Sequence, residues 1–167
     1  MQKYSGLLFA TLITLSFNTF AQKSQMLIAR NAVGKLQASF AGKEDSKKQL
    51  GIITEGLKSI ESAEKDNKTK NWPETFAIKS YLTSYAAIIE TDGTASYKYF
   101  DSAVDAIKKA KGLEKYEDPA GLIKASEHNI LIKKQERGNL AYFNNDFKEA
   151  LEDLREVSDK FPADTTL

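Results

Sequence analysis

The stretch Gly138-Asn139-Leu140-Ala141-Tyr142-Phe143-Asn144-Asn145-Asp146-Phe147-Lys148-Glu149-Ala150 decides the fold. Asn144-Asn145-Asp146 is a cluster of turn formers between two apolar segments. Asp146 with Glu149 three residues on is a helix-start pair, whose carboxylates can accept from the free N–H groups of a first turn. Beyond it Phe147, Ala150, Leu151, Leu154 and Val157 recur at intervals of three and four, one apolar stripe of a helix. The residues before the turn carry helical spacing too. So short a link joins antiparallel neighbours, and the stretch predicts a helical hairpin.

The same reading extends outward. Breaks at 42–46, 66–71, 91–94, 112–118 and 161–164 divide the chain into segments with the same period, and Pro73, Pro119 and Pro162 all fall at or beside them, where a helix tolerates proline. Stripes run through Met26, Ala29, Val33, Leu36 and Phe40, through Leu50, Ile53, Leu57, Ile60 and Ala63, and through Phe100, Ala103, Val104, Ile107 and Ala110. The third segment carries two stripes, Ile78, Tyr81, Tyr85, Ile88 and Phe76, Leu82, Ala86, Ile89. Such a helix needs neighbours on both sides. Asn71 and Glu74 are expected to cap it reciprocally, and Asp118-Pro119 to open the fifth. The spacing predicts six helices in three antiparallel pairs, over 25–41, 46–65, 73–90, 96–111, 119–144 and 147–160, with no strand.

The composition narrows the function. The chain has 167 residues, 41% hydrophobic and 28% charged, as in an ordinary globular domain. It has no Cys and one His, which excludes a disulfide scaffold, a Cys nucleophile and a His-rich metal site. Lys and Arg number 24 against 23 Asp and Glu, a balance that argues against a nucleic-acid partner. Met1-Gln2-Lys3, the apolar run from Tyr4 to Phe17 and the small residues Thr19 and Ala21 have the form of a secretory signal peptide over 1–21. Removing it leaves 23 charges of each sign. A periplasmic or secreted location follows as an expectation, with no stable membrane insertion after cleavage, because the run is short for a span.

Gly138, Ala150, Leu154 and Pro162 stand where the tetratricopeptide repeat has its small opening residue, its second small residue, its bulky residue and its closing proline. The chain from Asn71 to Pro162 resembles that family. Ala103, Ile107 and Ala110 repeat the spacing of Ala150, Leu154 and Val157, and Ser80 with Phe76 stands for the opening of a looser first repeat. Lys134 and Arg137 replace the family's early Trp and Leu, and the two sets lie 47 residues apart rather than about 34. The whole chain is similar to secreted tetratricopeptide proteins of Bacteroidetes-type bacteria.

The resemblance implies an all-α fold of antiparallel hairpins stacked as a tetratricopeptide-like α-solenoid. It divides the mature chain into an N-terminal hairpin over 22–70, two repeat-like hairpins over 71–162, and the start of a further repeat or a tail over 163–167. It further implies a non-enzymatic scaffold of the bacterial envelope that takes a peptide or protein partner on a concave surface, without cofactor or metal. Carried over from Gly138, the groove positions are Ile132, Gln135, Asn139, Tyr142 and Phe143. From Ser80 they are Glu74, Ala77, Tyr81, Ser84 and Tyr85. The amide of Asn139 can both donate to and accept from a peptide backbone, and Tyr81, Tyr85 and Tyr142 offer apolar area with a polar tip. The alternative is a helical envelope protein supporting membrane or cell-wall assembly, or the non-catalytic part of a longer enzyme.

The remaining polar residues read as solvated helix faces. His128 has neither the acid nor the nucleophile spacing of a triad and is expected as an exposed helical histidine. Glu149, Glu152 and Asp153, Glu61 with Glu64, and the lysines Lys108, Lys109, Lys111, Lys133 and Lys134 are expected at the surface. Asp92-Gly93-Thr94 reads as a turn, and Asn67-Lys68-Thr69 as a chance match to a glycosylation acceptor.

Overall fold

The structure, a computed structural model, describes residues 24–113 and 118–160. The address segment 1–21 and the stretch 163–167 lie outside the described residues. The chain is all-α, with no strand among the described residues. Helix α1 covers residues 24–41. It is followed by α2 (Ser46–Lys65), α3 (Pro73–Ile89), α4 (Gly93–Lys111), a 3-10 turn (Pro119–Gly121), α5 (Leu122–Phe143) and α6 (Phe147–Lys160).

Aspartates set most of the starts by accepting from a free first-turn N–H. Asp45 accepts from Lys48 N at 2.9 Å and Asp146 from Glu149 N at 3.3 Å. Asp92 accepts from Ala95 N at 2.7 Å, so Gly93 and Thr94 lie in the first turn of α4 rather than in a turn before it. The helix therefore begins three residues earlier than its apolar stripe suggests. Ser96, the expected first residue, is buried one turn in, where its hydroxyl donates to Ala87 O at 2.6 Å. The expected cap at Asn71 does not form. Trp72 is the N-cap of α3, without a side-chain bond, and Glu74 turns instead to Arg30 of α1 through two bonds of 2.6 and 2.5 Å. The charge of an arginine outcompetes neutral N–H donors for that carboxylate. Asp118 works from further back than a cap. Across the 3-10 turn its two oxygens accept from Ile123 N and Lys124 N. Gly121, at φ +68°, supplies the left-handed step that separates the turn from α5.

The first and last hairpins turn in the same way. After α1, Lys43 N donates to Phe40 O and Glu44 N to Ser39 O, with Lys43 at φ +52°. After α5, Asn145 N donates to Tyr142 O and Asp146 N to Ala141 O, with Asn145 at φ +64°. Each is a left-handed closure that satisfies the carbonyls of the helix end.

Helix α3 runs through the centre and packs on α2, α4 and α5, while α6 packs on α5. The main core joins Met26, Ala29 and Leu36 of α1, Ile53 and Ile60 of α2, Ile78 and Leu82 of α3, and Leu122 and Ile123 of α5. Gly56 lets α1, α2 and α3 converge, for a Cβ there would stand 2.7 Å from both Ala32 Cβ and Leu82 Cδ1. Between α3 and α5 the contact is a seam of small polar groups: Ser80 Oγ lies 3.0 Å from Ser126 Oγ, and Asn129 Nδ2 donates to Ser84 Oγ at 3.2 Å. These pairs are 46 and 45 residues apart, so α3 and α5 run in the same direction. The Arg30–Glu74 pair, 44 apart, and the Phe40–Tyr85 ring contact at 4.7 Å set α1 beside α3 in the same sense. The odd-numbered helices thus lie side by side and parallel at a nearly constant sequence offset.

Candidate binding surface

The α5–α6 turn brings three aromatic side chains together in solvent. Tyr142 and Phe143 occupy the last turn of α5, and Phe147 opens α6. The Tyr142 ring meets Phe143 at 6.0 Å and Phe147 at 5.8 Å, both edge to face. Phe143 is 79% exposed, Phe147 58% and Tyr142 57%. Leu140, one turn before Phe143, and Leu151, one turn after Phe147, are also exposed. Single exposed apolar residues are ordinary, but clustered ones mark contact surfaces.

This tip stands on a rigid base. A Cβ on Gly138 would fall 2.8 Å from Leu154 Cγ and 3.2 Å from Asp153 Cβ, so only glycine lets α5 and α6 approach this closely. The small opening residue expected from the repeat does serve a tight helix contact here. Ser80, expected in the same role, instead faces Ser126 of α5. Directly beside the Gly138 contact, Arg137 grips Asp153 through two bonds of 2.5 and 2.6 Å and lies 5.0 Å over the Phe100 ring of α4. The hydrogen bonds that it donates to Asp153 hold the Arg137 guanidinium above its usual pKa, against the opposing effect of burial. Arg137 thus ties α4, α5 and α6 with one side chain. Asp153 is buried, not part of the solvated acidic face expected of it.

The expected groove residues separate into two groups. Gln135, Asn139 and Tyr142 follow one face of α5, Gln135 half-buried and Asn139 exposed. Ile132, on the same face, is exposed as well. The set on α3 offers little surface. Tyr81 is only 4% exposed, Ala77 and Ser84 are buried, and Tyr85 is half-buried between Tyr81 at 4.8 Å and Phe40 of α1 at 4.7 Å. Burial pushes the Tyr81 phenol up to about 12, against a hydrogen bond from Gln37 that favours the ionised form. These tyrosines fill the seam between α1 and α3. Lys133 also departs from expectation. It is buried, with its ammonium on both Glu136 oxygens at 3.0 and 2.9 Å and 5.8 Å over the Tyr97 ring. Its neighbour Lys134 reaches Glu156 of α6. His128 is exposed on α5, as expected.

A feature that the sequence did not single out is a groove of about 450 Å³ between α4, α5 and α6, at the opposite end of the α5–α6 hairpin from the aromatic tip. Val104 and Ile107 were legible as part of the α4 stripe, but nothing in the pattern showed that α6 would leave them partly open. A wider cleft of about 770 Å³ where α2, α3 and α4 meet is lined by Lys70, Lys108 and Lys109 together with Glu64 and Asp105, so its charges oppose one another.

Among the described residues no group of three or more His, Cys, Asp or Glu is placed to hold a metal, and no helix is long and apolar enough to cross a membrane. Neither protein families, curated proteins nor solved structures give a match to this chain.

Proposed function

We propose that this chain is a non-enzymatic interaction module, an array of stacked helical hairpins of the tetratricopeptide kind that holds a protein partner in the bacterial envelope. The observation that carries the reading is the exposed Tyr142–Phe143–Phe147 cluster on its rigid Gly138–Leu154 and Arg137–Asp153 base. Aromatic side chains lose little conformational freedom on binding and are favoured at the centres of contact surfaces. The parallel odd-numbered helices, offset by 44 to 46 residues, support a stacked array, with a period longer than the usual tetratricopeptide length of about 34. Export rests on the N-terminal apolar run. The partner surface comprises Gln135, Asn139, Tyr142 and Phe143, whereas Tyr81 and Tyr85 fill the α1–α3 seam.

The test is affinity capture from envelope extract with the full chain and with the Tyr142→Ala and Asn139→Ala variants. Captured proteins are identified by mass spectrometry and thermal unfolding is recorded in parallel. The expected outcome is a captured protein that both variants lose while unfolding as the wild type does. Capture that survives both substitutions, or variants that unfold early, would overturn the reading.

A further inference from the structure

The groove between α4, α5 and α6 has an apolar floor and a rim with surplus positive charge. Val104 and Ile107 of α4 and Ile130 and Leu131 of α5 form the floor. Val104 keeps 38% of its surface open although it sits beside the core. Both carboxylates on the rim are already engaged: Glu127 with Lys111, and Glu156 with Lys134. Lys124 of α5 and Lys160 of α6 also line it, and their ammonium groups form no ion pair among the described residues. The volume of about 450 Å³ lies within the range of about 300–1,000 Å³ typical of ligand sites. Lys124 and Lys134 are ten residues apart on α5, about 15 Å along the axis, or about four residues of extended peptide.

We infer that this groove is a second binding site, for a short peptide segment that carries apolar anchors flanked by carboxylates. The apolar floor takes the anchors, and Lys124 and Lys160 pair with acids on either side. A neutral apolar peptide would leave the two ammonium groups without partners, and a basic one would meet them with like charge. The inference goes beyond the proposed function. It concerns the other end of the hairpin and stands whether or not the aromatic tip binds anything.

The experiment measures fluorescence anisotropy of the full chain with a short fluorescein-labelled peptide containing paired leucines and several aspartates. The control is the same peptide with every Asp replaced by Asn. The expected result is saturable binding of the acidic peptide that weakens with added salt. It should fall by roughly ten-fold or more in the Lys124→Glu/Lys160→Glu variant, and fall also in Val104→Ser, which removes floor without adding charge. Binding should be unchanged in Tyr142→Ala, which separates this site from the tip. Both substituted lysines are exposed, so the melting curve should hold and a loss of binding would not reflect unfolding. Equal binding of the Asn control, or full binding by the charge-reversed variant, would overturn the proposal. Binding that is absent in the wild-type chain and seen only in the Phe161→Ser variant would assign the groove to the chain's own tail, and would overturn it as well.

Discussion

Phe40 and Tyr142 occupy the same place in the same kind of turn. Each is three residues before the left-handed residue that closes its helix, and each gives its carbonyl to that residue's N–H. Phe40 lies against Tyr85 of α3, with the ring centroids 4.7 Å apart. Among the described residues Tyr142 meets the neighbouring aromatics of its own hairpin, and it remains 57% exposed. Local backbone physics is therefore the same at both ends, and the burial differs because α3 lies alongside α1, whereas among the described residues no helix lies alongside the tip. What an aromatic in this turn does is decided by the next helix. Where none lies among the described residues, the same residue type stays open to solvent.

The largest expected effect concerns how each hairpin is held. The first is closed by apolar packing around Gly56, the last by the Gly138–Leu154 contact together with an ion pair to the buried Asp153. Asp153→Ala should destabilise the protein by about 2–4 kcal/mol. Removing one partner of a buried pair costs about 3–5 kcal/mol, and here Arg137 is partly exposed with Glu149 at 3.5 Å as a substitute. Urea unfolding measures this, and a loss under about 0.5 kcal/mol, the size usual at surfaces, would show that packing alone holds both hairpins. The aromatic comparison is next in size. Phe40→Ala should cost about 2–3 kcal/mol, toward the low end for aromatic truncation because the ring is half-buried, and Tyr142→Ala less than about 0.5 kcal/mol. Equal losses would break the distinction between a covered and an open turn. The smallest effect is at the left-handed residues themselves. Lys43→Gly should raise stability by about 0.5–1 kcal/mol, since Lys has a Cβ penalty at φ +52° that Gly lacks. Asn145→Gly should gain less, because Asn tolerates that region. A larger gain at Asn145 would mean that the two turns are not equivalent.

Much of this was legible in the sequence. The start of α6 follows from Asp146, because a cap side chain is read from local spacing alone, and α2 covers the expected 46–65. The three-dimensional competition for side chains was not legible. Glu74 looked like a capping partner because Asn71 is its neighbour in sequence, and only the fold brings Arg30 to it. Lys133 and Asp153 looked solvated because charged residues usually are, and their burial depends on Tyr97, Arg137 and Glu136 converging. The candidate surface divided for a similar reason. Asn139, Tyr142 and Phe143 are open because α5 lies at one side of the array, and Tyr81 is closed because α1 covers it.

The hydroxyl seam between α3 and α5 has a consequence for how this chain can change length over evolution. Ser80 and Ser84 meet Ser126 and Asn129 one turn apart on each helix. One residue inserted between Ser80 and Ser84 would swing everything beyond it by about 100° around the axis. It would turn Ser84 away from Asn129 and leave both polar groups buried without each other. The same insertion in the link between α2 and α3, where Lys68 and Lys70 are exposed, would be absorbed by the loop. Length changes should therefore accumulate between the hairpins and be purged from α3, so that the central helix keeps a fixed residue count while the links around it drift.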